Sequence, residues 1–330
     1  MKLLTIFALA ITSALAHDTR ALSAEQLKRR KLEVEARNLA ARKCAPAVRA
    51  FENQRRHIRR DLKHFSLDLR GGHFGAQQEK EIKNKTCVMT PEVTEGPYFV
   101  KNELVRQNVR ENQRGVPLTL DIGVIDITSC KPLPNAFVEI WHANATGFYS
   151  GFTAESTGGS GNTGAPPSNS TGSGGGNPAN TAMSDELSFL RGGWPTNKNG
   201  VVEMSTVYPG FYTGRTTHIH TAVQTNWTKA ANGTIESTEG NLLHIGQVFF
   251  DESLNDKVFA SIPYVNTTQS HTTYNADDSI LAEENTGGYN AFADAYQLGK
   301  NLQDGVIAYI TIGVDSTARY SFSTTNYWTP

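Results

Sequence analysis

Leu118-Thr119-Leu120-Asp121-Ile122-Gly123-Val124-Ile125-Asp126-Ile127 is the stretch that decides the fold class. From Leu118 to Val124 an apolar side chain stands at every second position, the period of a strand with one face buried. Working outward, the same β-rich character returns at 136–142, 201–208, 218–224, 246–250 and 306–314. Lys131-Pro132-Leu133-Pro134-Asn135 and Asn197-Lys198-Asn199-Gly200 are turn signals between such runs. Many short strands with irregular loops predict a mainly β, sandwich-like domain over 85–320, followed by a tail at 321–330. Residues 155–182 hold Gly, Ser, Asn, Thr and Pro almost alone. They lack the apolar surface to offset ordering entropy, so a flexible surface insertion is expected there.

The N-terminus has a different character. Lys2, the apolar run Leu3 to Ala14 and the small-x-small Ala14-Leu15-Ala16 read as a signal peptide over 1–16, and so as a secreted, extracellular protein. No run reaches the roughly 20 apolar residues of a membrane span. Six N-x-[ST] sequons, at Asn84, Asn144, Asn169, Asn226, Asn232 and Asn266, agree with export. Residues 17–84 read as a basic helical arm or a pro-segment. Ser23 and Gln26 form a capping box for a helix over 24–43, with a break near Pro46 and a second helix at 47–64. The formal net charge of −1 hides 14 Lys/Arg against 6 Asp/Glu in residues 21–70. Such a stretch suits nucleic acid, a role set aside because export is expected. Of the three cysteines, Cys87 and Cys130 are the favoured disulfide, both falling in the folded domain, with pairing to Cys44 open.

The chemistry concentrates in the second half. His218-Ile219-His220 on a strand sends both imidazoles to one face, where they can reach one metal. An H-x-H pair alone is more often surface or packing, and a lone Tyr is more often a strand-end aromatic. The neighbours alter that balance: Tyr208-Pro209-Gly210-Phe211-Tyr212 and Arg215 lie just upstream, with Ile140-Trp141-His142-Ala143-Asn144 and Gly147-Phe148-Tyr149 further back. His142 is read as a strand support, and His244 and His271 as surface residues.

With Thr90-Pro91-Glu92-Val93-Thr94-Glu95-Gly96-Pro97-Tyr98 and Phe189-Leu190-Arg191-Gly192, these pieces resemble, in order and over about 90–315, the intradiol ring-cleavage dioxygenases, in particular their secreted fungal branch. The resemblance implies a non-haem Fe3+ held by Tyr149, Tyr212, His218 and His220. It implies a second role for Tyr212 as base toward the incoming diol, Arg215 as the active-site arginine, and Gln247 as a pocket residue. Catechol-type diols and O2 would be the substrates and muconate-type diacids the products. The family often pairs through N-terminal helices, so a homodimer is expected. Trp194 stands where a smaller polar residue is common and is expected to narrow the pocket, and a glycan on Asn144 would sit near its mouth. The competing readings are a non-catalytic secreted β-sandwich that binds phenolics or cell-wall glycans, and an unrelated metalloenzyme using the H-x-H pair alone.

Overall fold

A computed structural model describes residues 32, 36, 39–40, 42–55, 93–154, 181–285 and 289–328. The leader, much of the arm, Cys87, Thr90-Pro91-Glu92, the sequons at Asn84 and Asn169, and all but the last two residues of the 155–182 insertion lie outside these.

Among the described residues the strands form two sheets. In the first, β1 (Pro117–Asp126) runs parallel to β9 (Val306–Val314) and antiparallel to the short β2 (Lys131–Pro132) and to β5 (Val201–Val207). Strand β8 (Asp294–Gln297) pairs with β9 at the edge. The second sheet runs β4 (Arg191–Pro195), β3 (Phe137–Trp141), β6 (His218–Thr225), β7 (Asn241–Phe249), antiparallel throughout. Each strand expected from the sequence is present, and β7 starts five residues before the expected 246. The Gly-Gly-Trp-Pro composition of β4 hides a strand that exists because β3 offers it an edge.

Alternation builds the core between the sheets. Leu118, Leu120, Ile122 and Val124 of β1 meet Val138 and Ile140 of β3, Ile219 and Val223 of β6, and Ile310 and Ile312 of β9, all buried. Burying each such side chain contributes roughly 1.5–3 kcal/mol before entropy is counted.

The other face of β1 is also buried, because a helix covers it. Helix α1, described over 42–55, packs Cys44, Val48 and Phe51 against Ile125 and Ile127. Arg55 pairs with the Asp121 carboxylate and donates to Thr311 Oγ1 at 3.0 Å. Thus the arm completes the first sheet, and β1 is not half-exposed as its pattern suggested. Pro46 lies inside α1 and does not break it. The missing N–H of a helical proline costs about 3 kcal/mol, a loss offset by the apolar contacts on both sides and by a covalent tie.

That tie corrects the expected disulfide. Cys44 bonds to Cys130, with 5.1 Å between Cα atoms, and joins the arm to the loop after β1. The favoured Cys87–Cys130 pair is excluded because Cys130 is already used. Shared membership of the folded domain favours Cys87, whereas the packing of α1 on β1 brings a residue of the arm within bonding range. No helix among the described residues is long and apolar enough to cross a membrane. Peptide mapping of the non-reduced, alkylated protein should recover Cys44 linked to Cys130; a Cys87–Cys130 peptide would contradict this packing.

Candidate metal centre and substrate pocket

On β6 the residues Ile219 and Val223 enter the core, so His218 and His220 project from the opposite face of the second sheet. Trp141 on β3 lies directly across from His220 and stacks on its ring at 4.9 Å, nearly parallel. Gln247 on β7 flanks His220 on the other side. His218 Nδ1 lies 2.7 Å from the Thr216 carbonyl, which can only accept, so Nδ1 carries the proton and Nε2 a lone pair. The two Nε2 atoms are 3.1 Å apart. His220 Nδ1 is buried with no hydrogen-bond partner.

Two loops bring the tyrosines to this face. The Asn144 side chain builds one of them, its Oδ1 accepting from the Thr146 and Phe148 amides and its Nδ2 donating to Gln113. Tyr149 follows, buried, with its hydroxyl 3.5 Å from His218 Nε2. The second loop, Pro209 to Arg215, docks on the first through Gly210, whose amide donates to the Asn144 carbonyl at 3.1 Å. A Cβ there would lie 2.5 Å from that carbonyl oxygen, so only glycine permits the approach. Tyr212 then meets Tyr149 edge to face, ring centres 5.8 Å apart, and a tight turn returns Arg215 beside it.

Burial pushes both phenols up, Tyr149 well above the ordinary range, and the neighbouring Tyr212 adds to the shift at Tyr149. Burial also drives both imidazoles well below their usual range, His220 further repelled by His218 and both by Arg215. So the imidazoles are neutral donors, and the phenols ionise only against added positive charge. Two imidazole nitrogens each about 2.1 Å from one cation and at a right angle sit roughly 3 Å apart, the separation seen here. Among the described residues no three His, Cys, Asp or Glu side chains gather as a metal cage. The two phenols are the oxygen donors beside the imidazoles, and hard anionic oxygens suit a hard, highly charged cation.

Arg215 donates to Asp278 through Nε at 2.7 Å and Nη2 at 3.1 Å, and to Gln247 Oε1 at 2.7 Å. Burial raises the Tyr212 phenol, and the charge of Arg215 opposes that rise. Burial works against its charge, but Tyr212 and Asp278 raise its pKa further. Burial alone would raise the Asp278 carboxyl; Arg215 and the amides of Leu281 and Thr216 outweigh that and hold it low.

The structure thus brings together all six residues singled out from the sequence: Tyr149, Tyr212, Arg215, His218, His220 and Gln247. It corrects others. Trp194 pairs with Val138 on the core side of the sheet edge, away from the imidazoles, so it does not narrow the pocket. His244 is buried in β7 and so is not a surface residue, while His271 is half-buried and stacks on Phe211 at 4.6 Å. His142 does support the strands: Nε2 meets Thr206 Oγ1 of the first sheet at 2.8 Å, and burial lowers its pKa to about 4.

Three supports went unread. Tyr98 stacks on Tyr149 at 4.7 Å, although its motif was noticed. Gly96, at φ +73°, lies against His220, where a Cβ would come within 3.1 Å of the ring. Arg191 is buried and donates to Ser150 O at 2.6 Å, Ser150 Oγ at 2.7 Å and Tyr98 O at 3.1 Å, with Glu103 as its counter-ion at 2.8 Å. It clamps the backbones on either side of the Tyr98–Tyr149 stack.

A family model described as "Dioxygenase" matches residues 91–288. The chain belongs to the intradiol ring-cleavage dioxygenase family. The intradiol ring-cleavage dioxygenase of Tetranychus urticae is 28% identical, covering 74% of this chain and 100% of that one, with a TM-score of 0.55. A second dioxygenase structure is likewise 28% identical over 74% of this chain and all of its own, with a TM-score of 0.54. A catechol 1,2-dioxygenase of Acinetobacter baylyi is 43% identical over 68 residues, a match spanning 19% of this chain and 22% of that enzyme. The protein is an oxidoreductase of that family.

Replacing Arg191 by Met leaves Glu103 buried without its counter-ion. The variant is expected to lose about 3–5 kcal/mol of stability in urea unfolding, as broken buried pairs do; a loss below about 1 kcal/mol, the scale of an exposed pair, would contradict the clamp.

Proposed function

We propose that this chain is an extracellular Fe3+ enzyme that opens catechol-type rings between the two hydroxyl-bearing carbons, consuming one O2 per ring and giving a muconate-type diacid. The observation that carries this reading is the convergence of two neutral imidazoles and two adjacent buried phenols on one face of β6. Ferric iron held by Tyr149, Tyr212, His218 and His220 would chelate the diol and draw electron density from its ring, opening it to O2.

The remaining tasks belong to side chains. Tyr212, which meets Tyr149 edge to face and turns back beside Arg215, would take a proton from the incoming diol. Arg215, kept cationic beside Asp278, supplies positive charge for the negative charge that develops on the substrate during oxygen attack. Gln247 offers a buried Nε2 with no protein partner. Tyr98, Trp141 and Phe249 wall the site with rings. A homodimer would use what α1 leaves uncovered, and the exposed Leu32 and Leu39 are the apolar side chains of the arm available for it.

Oxygen uptake on adding catechol, with the diacid identified by mass, tests the activity. Wild type should incorporate both atoms of labelled O2, and Tyr149→Phe should lose iron and at least about a hundredfold in kcat/KM, as lost metal-site groups do. Iron binding with no oxygen uptake would favour a phenolic-binding module instead.

Export carries its own test. Asn226, Asn232 and Asn266 are exposed, whereas both side-chain atoms of Asn144 are engaged in its loop. Glycopeptide analysis of protein secreted from a glycosylating host should find sugar among the exposed three and none on Asn144; sugar on Asn144 would contradict the loop's geometry.

A further inference from the structure

Gln247 hydrogen-bonds through its Oε1 to Arg215 at 2.7 Å, and this contact decides which way its amide faces. A guanidinium only donates, so the side-chain atom that meets it must be the oxygen. The other end, Nε2, is then a donor, fully buried and without a partner among the described residues. An amide turned the other way would present an acceptor and repel the oxygens of a diol. The orientation of Arg215 thus sets the polarity of this part of the pocket.

What fixes Arg215 is Asp278. Its Oδ2 accepts from Arg215 Nε at 2.7 Å and from the Thr216 amide at 3.0 Å, while its Oδ1 accepts from Arg215 Nη2 at 3.1 Å. The same Oδ1 takes the Ile280 and Leu281 amides, each at 3.0 Å, and so caps the short helix α3 (Ser279–Glu284), which follows helix α2 (Glu252–Phe259). At the far end of that helix Glu284 accepts the Gln247 amide at 2.6 Å. Helix α3 therefore holds the arginine through its N-cap side chain and the glutamine backbone through its last residue.

We propose that Asp278 is a positioning residue: by gripping Arg215 at two points it turns the Gln247 amide so that Nε2 donates to an oxygen of the bound diol. The inference rests on the activity proposed above and adds a residue outside the group that touches substrate.

Asp278→Asn is the informative variant. Asparagine is as good a helix cap as aspartate, so α3 is retained, but its Nδ2 meets the Arg215 Nε–H donor to donor. Iron content should be unchanged, and kcat/KM for catechol should fall by about tenfold or more, the scale of a lost charged hydrogen bond. If Asp278 acts through Arg215, the loss should shrink to less than about twofold when Asp278→Asn is made in an Arg215→Met background, since coupled residues are not additive. In the iron-free protein, exchange of the Arg215 Nε–H with water, followed by NMR, should be slow in wild type and at least about tenfold faster in Asp278→Asn, the protecting bond being gone. Wild-type kcat/KM in Asp278→Asn, a loss that persists in full in the Arg215→Met background, or unchanged exchange would each overturn the proposal. Absence of oxygen uptake by wild type would instead overturn the proposed activity, and the exchange measurement would still decide the grip on Arg215.

Discussion

Along β6, Ile219 and Val223 enter the space between the sheets, and the two-residue period leaves His218 and His220 on the opposite face. A slip of one residue would bury both imidazoles in the core and expose its apolar residues. The hydrophobic core thus fixes the direction of the two histidines before any metal is considered. Neighbouring strands supply what the register places beside them, Trp141 stacked on His220 from β3 and Gln247 from β7. The tyrosine loops are held to this face through Asn144, Gly210 and Arg191.

The result is a group of buried, neutral side chains whose phenols can ionise only against added positive charge. Two phenols sit edge to face in a buried site, and burial disfavours the charge of either. The imidazoles beside them are neutral for the same reason. In the proposed ferric site the same desolvation would favour a highly charged cation, since two phenolates and a trivalent ion would compensate one another. Arg215 opposes the rise that burial imposes on both phenols, while Asp278 accompanies its charge within hydrogen-bonding distance.

Much of this was legible in the sequence because period and motif are local. The alternation at Leu118 to Val124 announced the sheet, and the H-x-H spacing announced a shared face. The ordered motifs named Tyr149, Tyr212 and Arg215. What escaped depends on contacts across long separations. Nothing in the sequence around Asp278 marks that its carboxylate reaches Arg215, 63 residues away. The Cys44–Cys130 bond follows from how α1 lies on β1, a matter of packing between segments 86 residues apart. The same packing explains why Pro46 is tolerated and why β1 is buried on both sides. Trp194 was misplaced because β4 was not recognised as a strand, so the face it presents was unknown.

The claim on which the account stands is that Tyr149 and Tyr212 bind one ferric ion as phenolates beside His218 and His220. The visible absorption spectrum of the purified, iron-loaded protein, recorded without oxygen before and after adding catechol, tests it most directly. A broad tyrosinate-to-iron band that shifts when catechol is added is the expected result. A protein that binds iron but stays colourless would contradict the phenolate ligands, whatever its catalytic behaviour.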